Sequence, residues 1–220
     1  TLCPDKLSTK EWLDVVEAAH RAGFRTTSTV MYGHIDGPVN WARHLVALRE
    51  LQKRTGGITE FVPLPFVNME APLYLKGKAR GGPTFREAVL MHAVARLALH
   101  PHISNIQVSW VKMGLPGVQA CLDAGVNDMG GTLMNERISR AAGAEFGQEL
   151  PPEEMERAIR SMGRTPRQRT TEYGSAPEGQ LIASFNAPPL LPLVLTPARK
   201  YGRKRSEAME DGVTRHPAGV

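Results

Sequence analysis

The chain has 220 residues, of which 41% are hydrophobic and 22% are charged, and its net charge is +5. This length and apolar content fit one globular domain or two small ones. No apolar run approaches the ~18 to 20 residues of a membrane-spanning helix. Its two cysteines, Cys3 and Cys121, are too few for a disulfide framework, a zinc site or an iron–sulfur site. We therefore expect a cytoplasmic protein with no membrane partner, whose mild positive charge suits anionic ligands but does not indicate nucleic acid.

The first predicted unit is a helix followed by a strand. Ser8 and Glu11 have the spacing of a capping box, and Gly23 has the residue type that ends a helix. Residues 24–32 are β-branched and aromatic, so they predict a strand.

The same unit recurs along the chain. A helix marked by Trp41 ends at residues 56–57, and residues 58–66 predict the next strand. Pro63 and Pro65 lack an amide donor, so we expect the outer end of that strand to bend or to stay unpaired. The remaining predicted elements are a loop at 67–83, a helix from the capping box at Thr84 and Glu87 to about His100, strands at 105–111 and 126–129, and helices at 116–124, 135–142 and 151–162.

Strands that alternate with amphipathic helices predict an α/β fold with a parallel sheet. Four such units are half of an eight-fold barrel, which typically needs about 250 residues. An open sheet is one interpretation, and half of a TIM-type barrel whose other half lies upstream of Thr1 is the one that we favour. We expect residues 1–174 to form this body, including a closing helix and a basic strap at 163–174. Residues 175–220 then form a Pro-rich basic tail without helical periodicity, in part disordered.

Functional residues of parallel barrels collect where the strands end. These strand ends hold the tips Met31-Tyr32-Gly33-His34, residues 66–70, Trp110-Val111-Lys112 and residues 127–131. The pair Gly130-Gly131 before the helix at 135–142 predicts either an anion-binding turn or, more often, tight packing. In the basic strap, Arg164, Arg167 and Arg169 need a carboxylate, a helix C-terminus or an anionic ligand among them.

Six segments carry a family resemblance, and they read TSTVMYGH, TEFVPLPF, APLYLKGKARGGPT, NIQVSWVKMG, NDMGGTLMNERISRAAG and GRTPRQRTTEYG. They resemble the FO synthase family of radical S-adenosylmethionine enzymes. Within it they resemble the tyrosine-using part, which is either the separate 5-amino-6-(D-ribitylamino)uracil–tyrosine 4-hydroxyphenyl transferase or the C-terminal half of the fused enzyme. The futalosine radical enzymes of menaquinone biosynthesis are similar at a greater distance.

The resemblance implies strands five to eight of a radical S-adenosylmethionine barrel. It also implies a 4Fe-4S cluster, held by a CxxxCxxC loop, and cleavage of tyrosine in deazaflavin biosynthesis. This chain has no CxxxCxxC. We therefore expect the cluster ligands upstream, assign no metal ligand here, and expect the chain alone to be inactive.

The same resemblance implies two groups of site residues, without assigning a catalytic role to any of them. The group expected to approach S-adenosylmethionine is Met31, Tyr32, Gly33, Val62 and Leu64. The group expected to face tyrosine and the aminouracil is His34, Asn68, Glu70, Trp110, Lys112, Asn127 and Asp128. The implied protein partners are the N-terminal barrel half and a companion ring-closing radical enzyme.

Three alternatives remain open at the level of the sequence. One is a futalosine-type enzyme, and another is a non-catalytic subunit that completes a barrel with a cluster-bearing chain. The third is a basic α/β binding module that uses Lys76, Lys78, Arg80 and the tail to hold a polyanion, whose affinity would fall steeply with salt.

Overall fold

Helices and strands alternate along the computed structural model, which describes residues 5–133, 136, 138–147 and 149–188. In these residues the elements are α1 Thr9–Arg21, β1 Thr26–Tyr32, α2 Pro38–Thr55, β2 Ile58–Pro65, α3 Pro72–Leu75, α4 Phe85–Leu99, α5 Trp110–Asp123, α6 Ile138–Ala141, α7 Pro152–Ser161 and α8 Glu178–Phe185. Among the residues described, no helix combines the length and apolar composition needed to cross a bilayer.

Local signals in the sequence set the helix ends. The Ser8 hydroxyl accepts the Glu11 amide at 3.3 Å, and the Glu11 carboxylate accepts the Ser8 amide at 2.8 Å. Thr84 and Glu87 make the same pair of bonds at the start of α4. Because each pair satisfies amides that have no partner within the helix, both helices begin where the capping boxes predict.

The strands form a parallel sheet in chain order. β1 pairs with β2, with Thr29 opposite Val62 and Tyr32 opposite Pro65. Single parallel bridges then join Phe61 to Ile106 and Gln107 to Asp128. The mixed α/β class is therefore confirmed, and the parallel order matches successive strands of a barrel.

The third predicted strand is wrong at its outer end. Residues 105–108 are extended, but Trp110 and Val111 begin α5 instead of continuing a strand. The apolar run here suits a buried strand and a buried helix equally, and Gly114 adopts a positive φ of 61° that breaks α5 after its first turn. The segment at 126–129 likewise makes a single bridge rather than a full strand.

The expected bend in the second strand is also wrong, because β2 stays paired to its end. The Phe66 amide donates to the Tyr32 carbonyl at 2.9 Å, whereas the Phe61 amide donates to the Asn105 carbonyl at 2.9 Å. Successive backbone nitrogens of β2 thus face opposite neighbours in turn, so the nitrogens of Pro63 and Pro65 face residues 105–108. Because the two proline nitrogens face away from β1, their missing N–H groups cost no bond to β1.

Two further predictions need correction. Residues 178–185 of the expected tail form α8, whose eight residues are too few for a clear helical periodicity. Of the helix expected at 135–142, the structure shows the helical turn Ile138–Ala141, and residues 135 and 137 lie outside the described residues. Residues 189–220 and Cys3 lie outside the described residues.

The two faces of the β1–β2 sheet differ. Phe61, Ile106 and Tyr32 contribute to a core that also contains Leu48 of α2 and Val118 of α5, all fully buried. Side chains alternate along a strand, so the opposite face carries Thr27, Thr29 and Met31 of β1 in register with Glu60, Val62 and Leu64 of β2. We call these six side chains the second face; Met31 is 54% exposed there.

Candidate functional site

The turn after β1 is fixed by Asp36. Its carboxylate accepts the Gly33 amide at 2.9 Å, the His34 amide at 2.8 Å and the indole N–H of Trp41. Gly33 has a φ of +88°, and a Cβ there would lie 2.6 Å from Pro83 N. The close approach that Gly33 permits is therefore used by Pro83 of this chain.

The Tyr32 ring lies on the core side of β1. It is fully buried and packs edge-on against Trp41, with 5.2 Å between ring centroids. Burial raises the pKa of its hydroxyl far above the ordinary value, and that hydroxyl has no hydrogen-bond partner among the described residues. Of the tip residues expected near S-adenosylmethionine, Met31 therefore presents its side chain on the second face and Tyr32 does not.

His34 is held within the same turn. The Ile35 amide donates to His34 Nδ1 at 2.7 Å, which assigns the ring proton to Nε2, and Nε2 donates to the Met31 carbonyl at 3.1 Å. The ring also packs edge-on against Phe66, with centroids 5.9 Å apart. Both ring nitrogens are therefore hydrogen-bonded within the turn.

The end of β2 continues the second face. Val62 stands opposite Thr29 and Leu64 opposite Met31, so Met31, Val62 and Leu64 form one apolar patch. In the following loop, Asn68 and Glu70 are half-buried. The Glu70 amide donates to the Ala142 carbonyl at 3.1 Å, which brings this loop against the end of α6.

The third tip is joined to the fourth through Trp110. Its indole N–H donates to the Gly131 carbonyl at 2.9 Å, and the ring is buried. Lys112 is half-buried, and its ammonium makes no hydrogen bond or ion pair with any residue that the structure describes. Burial lowers the pKa of Lys112, and the charge of Glu136 opposes that shift.

The structure separates the neighbours Asn127 and Asp128. Asn127 Oδ1 accepts Arg96 Nη2 at 2.8 Å and the Ile106 amide at 2.9 Å, so this side chain ties the sheet to α4. Asp128 instead accepts the Gly130 amide at 2.6 Å and bonds to Arg169 Nε. Asn127 therefore has a local structural role, whereas Asp128 meets the basic strap.

Sequence reasoning missed a polar cluster around Glu60. Glu60 Oε2 accepts Arg169 Nη2 at 3.2 Å, Gln107 Nε2 at 3.3 Å and the Tyr173 hydroxyl. The Arg169 guanidinium also lies over the Tyr173 ring, 4.0 Å from its centroid. We call Glu60, Gln107, Asp128, Arg169 and Tyr173 the Glu60 cluster.

The cluster perturbs its own titratable groups. Burial, with the hydrogen bond to Glu60, raises the pKa of Tyr173 far above the ordinary value. Burial lowers the pKa of Arg169, but the hydrogen bond and charge of Asp128, with Tyr173 and Glu60, outweigh it and leave that pKa raised. Arg169 is therefore a permanent cation between two carboxylates.

Two signals could have pointed to this cluster. Glu60 is the one charged residue among the letters ITEFVPLPF, and the crowded arginines of the basic strap call for carboxylates. Arg169 has two carboxylates, and Arg164 donates to the Leu122 carbonyl at the end of α5 at 2.8 Å. Two of the predicted partners for the strap, a carboxylate and a helix C-terminus, are thereby found.

The glycine pair at 130–131 is used for packing. The Gly130 amide already bonds to Asp128, and a Cβ at Gly130 would lie 2.8 Å from Gln107 Oε1. The Glu136 carboxylate accepts the amides of Ile138 and Ser139 at 3.0 Å. Carboxylates of this chain therefore bond to the amides of Gly130, Ile138 and Ser139, and the close contact at Gly130 favours the packing interpretation.

A cleft of about 840 Å³ lies beside the cluster. Asp128, Arg169 and Tyr173 line one part of it, and Met155 and Ile159 of α7 line another. This volume is in the range of small-molecule sites, and its lining combines charged and apolar groups.

The described residues do not fit an iron–sulfur cluster. They contain no group of three or more His, Cys, Asp or Glu side chains placed to hold a metal ion. Cys121 is buried in the core, and burial raises the pKa of its thiol to about 12. A neutral, enclosed thiol cannot serve as a thiolate ligand.

The basic loop of the polyanion alternative is engaged in part. Arg80 pairs with Glu87 at 2.9 Å and lies 5.8 Å from the centroid of the Trp41 ring. The Arg80 amide also donates to the His34 carbonyl at 3.0 Å. Arg80 therefore fixes the first tip to α4, and it offers less free charge to an anion than the sequence suggests.

Comparison with known proteins identifies the family. The family model described as CofH/MqnC C-terminal region matches residues 55–181. Over 172 residues, 78% of this chain, the sequence is 55% identical to the 5-amino-6-(D-ribitylamino)uracil–L-tyrosine 4-hydroxyphenyl transferase of Methanopyrus kandleri, of which it covers 47%. It is 50% identical over 172 residues to the transferase of the same name from Methanococcus aeolicus, of which it covers 48%.

The FO synthase of Mycobacterium leprae is 54% identical over 172 residues, and this chain covers 20% of that protein. The chain thus spans about half the length of the transferases and about a fifth of that FO synthase. With a family model matching more than half of its residues, the chain belongs to the CofH/MqnC C-terminal region family.

Proposed function

We propose that this chain forms the substrate-side half of an enzyme that transfers the 4-hydroxybenzyl group of tyrosine to 5-amino-6-(D-ribitylamino)uracil, a step toward a deazaflavin. The observation that carries the proposal is the 55% identity, over 172 residues, to a protein whose name states that transfer. The family resemblance implies that S-adenosylmethionine and a 4Fe-4S cluster supply the radical chemistry, with cluster ligands outside the described residues. This chain binds and orients the reactants and keeps water from them.

The second face is the wall of the reaction chamber in this proposal. Met31, Val62 and Leu64 form an apolar patch at the carboxyl ends of β1 and β2, which suits the flat adenine of S-adenosylmethionine. Tyr32 and Gly33 support that patch from behind, because one packs in the core and the other packs against Pro83.

The loops at the strand ends hold the two substrates. Lys112 is a half-buried cation that makes no ion pair with any described residue, so it suits the carboxylate of tyrosine. Asn68 and Glu70 offer an amide and a carboxylate to the hydroxyls of the ribityl chain. His34, Trp110 and Asn127 keep these loops in place, and Asp128 links them to the basic strap.

In the proposed enzyme, residues outside this chain form the rest of the barrel. β1 is the edge of the observed sheet, with β2 as its hydrogen-bonded neighbour. A parallel strand from the N-terminal half of the barrel pairs with that edge and completes the wall. The product then passes to a companion ring-closing enzyme.

The test is turnover by an assembled enzyme. The full chain is co-expressed with the part of the Methanopyrus kandleri transferase that it does not cover, and the cluster is reconstituted without oxygen. With tyrosine, the aminouracil, S-adenosylmethionine and a reductant, we expect the coupled product by mass spectrometry at a rate within tenfold of the intact relative. A folded assembly that holds its cluster but forms no coupled product would contradict the proposal.

A matched pair of variants tests the carboxylate site in the same assay. Lys112→Met should raise the KM for tyrosine at least tenfold, because a charge-assisted hydrogen bond is lost. Lys78→Met, which removes an exposed lysine from the loop before α4, should leave that KM unchanged within twofold.

A further inference from the structure

Glu60 lies far along β2 from the loop that holds substrate in the proposed function. Glu60 is the third residue of β2, five residues before Pro65. At a rise of ~3.3 Å per residue, Glu60 lies ~16 Å from the carboxyl end of the strand. Arg169 and Tyr173, which bond to Glu60, therefore cover the amino end of the second face, away from the loop that follows β2.

The basic strap is folded so that two side chains reach this end of the sheet. Arg169 pairs with Ser175 in an antiparallel bridge, and the Thr170 amide donates to the Gly174 carbonyl at 3.0 Å. Tyr173 adopts a φ of 65°, a left-handed conformation that is unfavourable for a residue with a Cβ. Its bond to Glu60 and its contact with Arg169 hold it in that conformation.

The groups beneath the strap are closed off from solvent. Glu60 is 7% exposed and Asp128 is 8% exposed, and Arg169 bonds to both. Buried carboxylates need such partners, because removing the cation leaves two uncompensated charges in a site of low dielectric constant. Loss of Arg169 should therefore draw water to this end of the sheet.

We propose that Arg169 and Tyr173 form the floor of the reaction chamber and keep water out of it from the side opposite to the loops. The inference rests on the proposed function for the existence of that chamber. Both are positioning residues, since they touch Glu60 and Asp128 and none of the side chains that hold the substrates in the proposed function. Exclusion of water protects reactive intermediates from side reactions, and that is the function of the floor.

Hydrogen exchange on the assembled enzyme tests the floor directly. Arg169→Met should speed amide exchange in residues 58–62 and 105–108 at least tenfold. Tyr173→Phe, which removes the hydroxyl alone, should have a smaller effect in the same residues. Arg167→Met is the matched control, because Arg167 is an exposed residue of the same strap bonded to Ser175 Oγ at 2.6 Å. The inference would be overturned if amide exchange in Arg169→Met equalled that in Arg167→Met. If Arg169→Met fails to fold, the same comparison is made between Tyr173→Phe and Arg167→Met, and equal exchange rates would again overturn the inference.

The products of turnover distinguish exclusion of water from a purely structural role of Arg169. An open floor should raise the ratio of S-adenosylmethionine cleaved to coupled product at least threefold, with the KM of both substrates unchanged within twofold. A raised KM with an unchanged ratio would overturn the inference and place Arg169 in substrate binding. If the unsubstituted assembly forms no coupled product, the proposed function fails, and the exchange comparison still decides whether the strap closes this end of the sheet.

Discussion

His92 of α4 is buried and His44 of α2 is half-buried, and in each ring the enclosed Nε2 has no hydrogen-bond partner among the described residues. Burial lowers the pKa of both rings below the ordinary 6.5, and for His92 a bond to the Ala88 carbonyl opposes that shift. In the folded chain both rings therefore stay neutral below the pH at which they would titrate in the unfolded chain.

The stability of the fold should consequently fall with acid. Below pH ~6.5 the unfolded state binds more protons than the folded state, so the free energy of unfolding decreases as the pH falls. Each ring contributes up to ~1.4 kcal/mol per pH unit in this range. Urea unfolding at pH 7.5 and 5.5 measures the change. The loss of unfolding free energy between pH 7.5 and pH 5.5 should be smaller in His92→Gln. It should be unchanged in His102→Gln, the control at an exposed position. An equal loss in the two variants would refute this explanation.

At the residue scale, the sequence predicted the carboxyl ends of β1 and β2 to within one residue but not the direction of each side chain. Met31 and Tyr32 are neighbours, yet one lies on the second face and the other lies in the core. The letters TTSTVMY show no alternation of polarity, so the sequence does not indicate which side of β1 is covered. Glu60 and Arg169 are 109 positions apart in sequence, and no local pattern connects them.

At the element scale, the helices with a side-chain cap were predictable because the capping signal is local. Thr84 and Glu87 define the start of α4 without reference to the rest of the molecule. The start of α5 was not predictable, because its N-cap Ser109 makes no side-chain capping bond and the apolar run there suits a strand and a helix equally. The pairing of Pro63 and Pro65 with β1 was likewise not predictable, because it depends on which neighbouring strand their nitrogens face.

The contact between the first tip and the loop before α4 yields a prediction for one glycine. Gly33→Ala should lower the free energy of unfolding by about 2 to 4 kcal/mol, because the new Cβ meets Pro83 and φ is left-handed. Gly37→Ala is the matched control, with φ in the extended region and no atom within 4 Å of its Cβ, and should cost less than about 1 kcal/mol. Denaturant midpoints compare them, and equal losses would show that Pro83 does not restrict Gly33.

At the scale of the whole molecule, the sequence predicted the α/β class and the parallel order of the strands. Each helix–strand unit is encoded locally, and right-handed crossovers leave few ways to arrange successive parallel strands. The contact of the basic strap with β2 was not predictable, because it brings Arg169 and Tyr173 to Glu60, more than 100 positions earlier in the chain.

In the proposed function, the strand-end loops bind tyrosine and the aminouracil beside the second face, which holds S-adenosylmethionine. Amide hydrogen exchange of the assembled enzyme, with S-adenosylmethionine, with and without the two substrates, tests it most directly. We predict slower exchange on substrate binding in residues 29–36, 62–71 and 109–114, and no change in Phe85–Leu99, the helix α4 on the core side of the sheet. Unchanged exchange at the strand ends, with protection confined to α4, would contradict the claim.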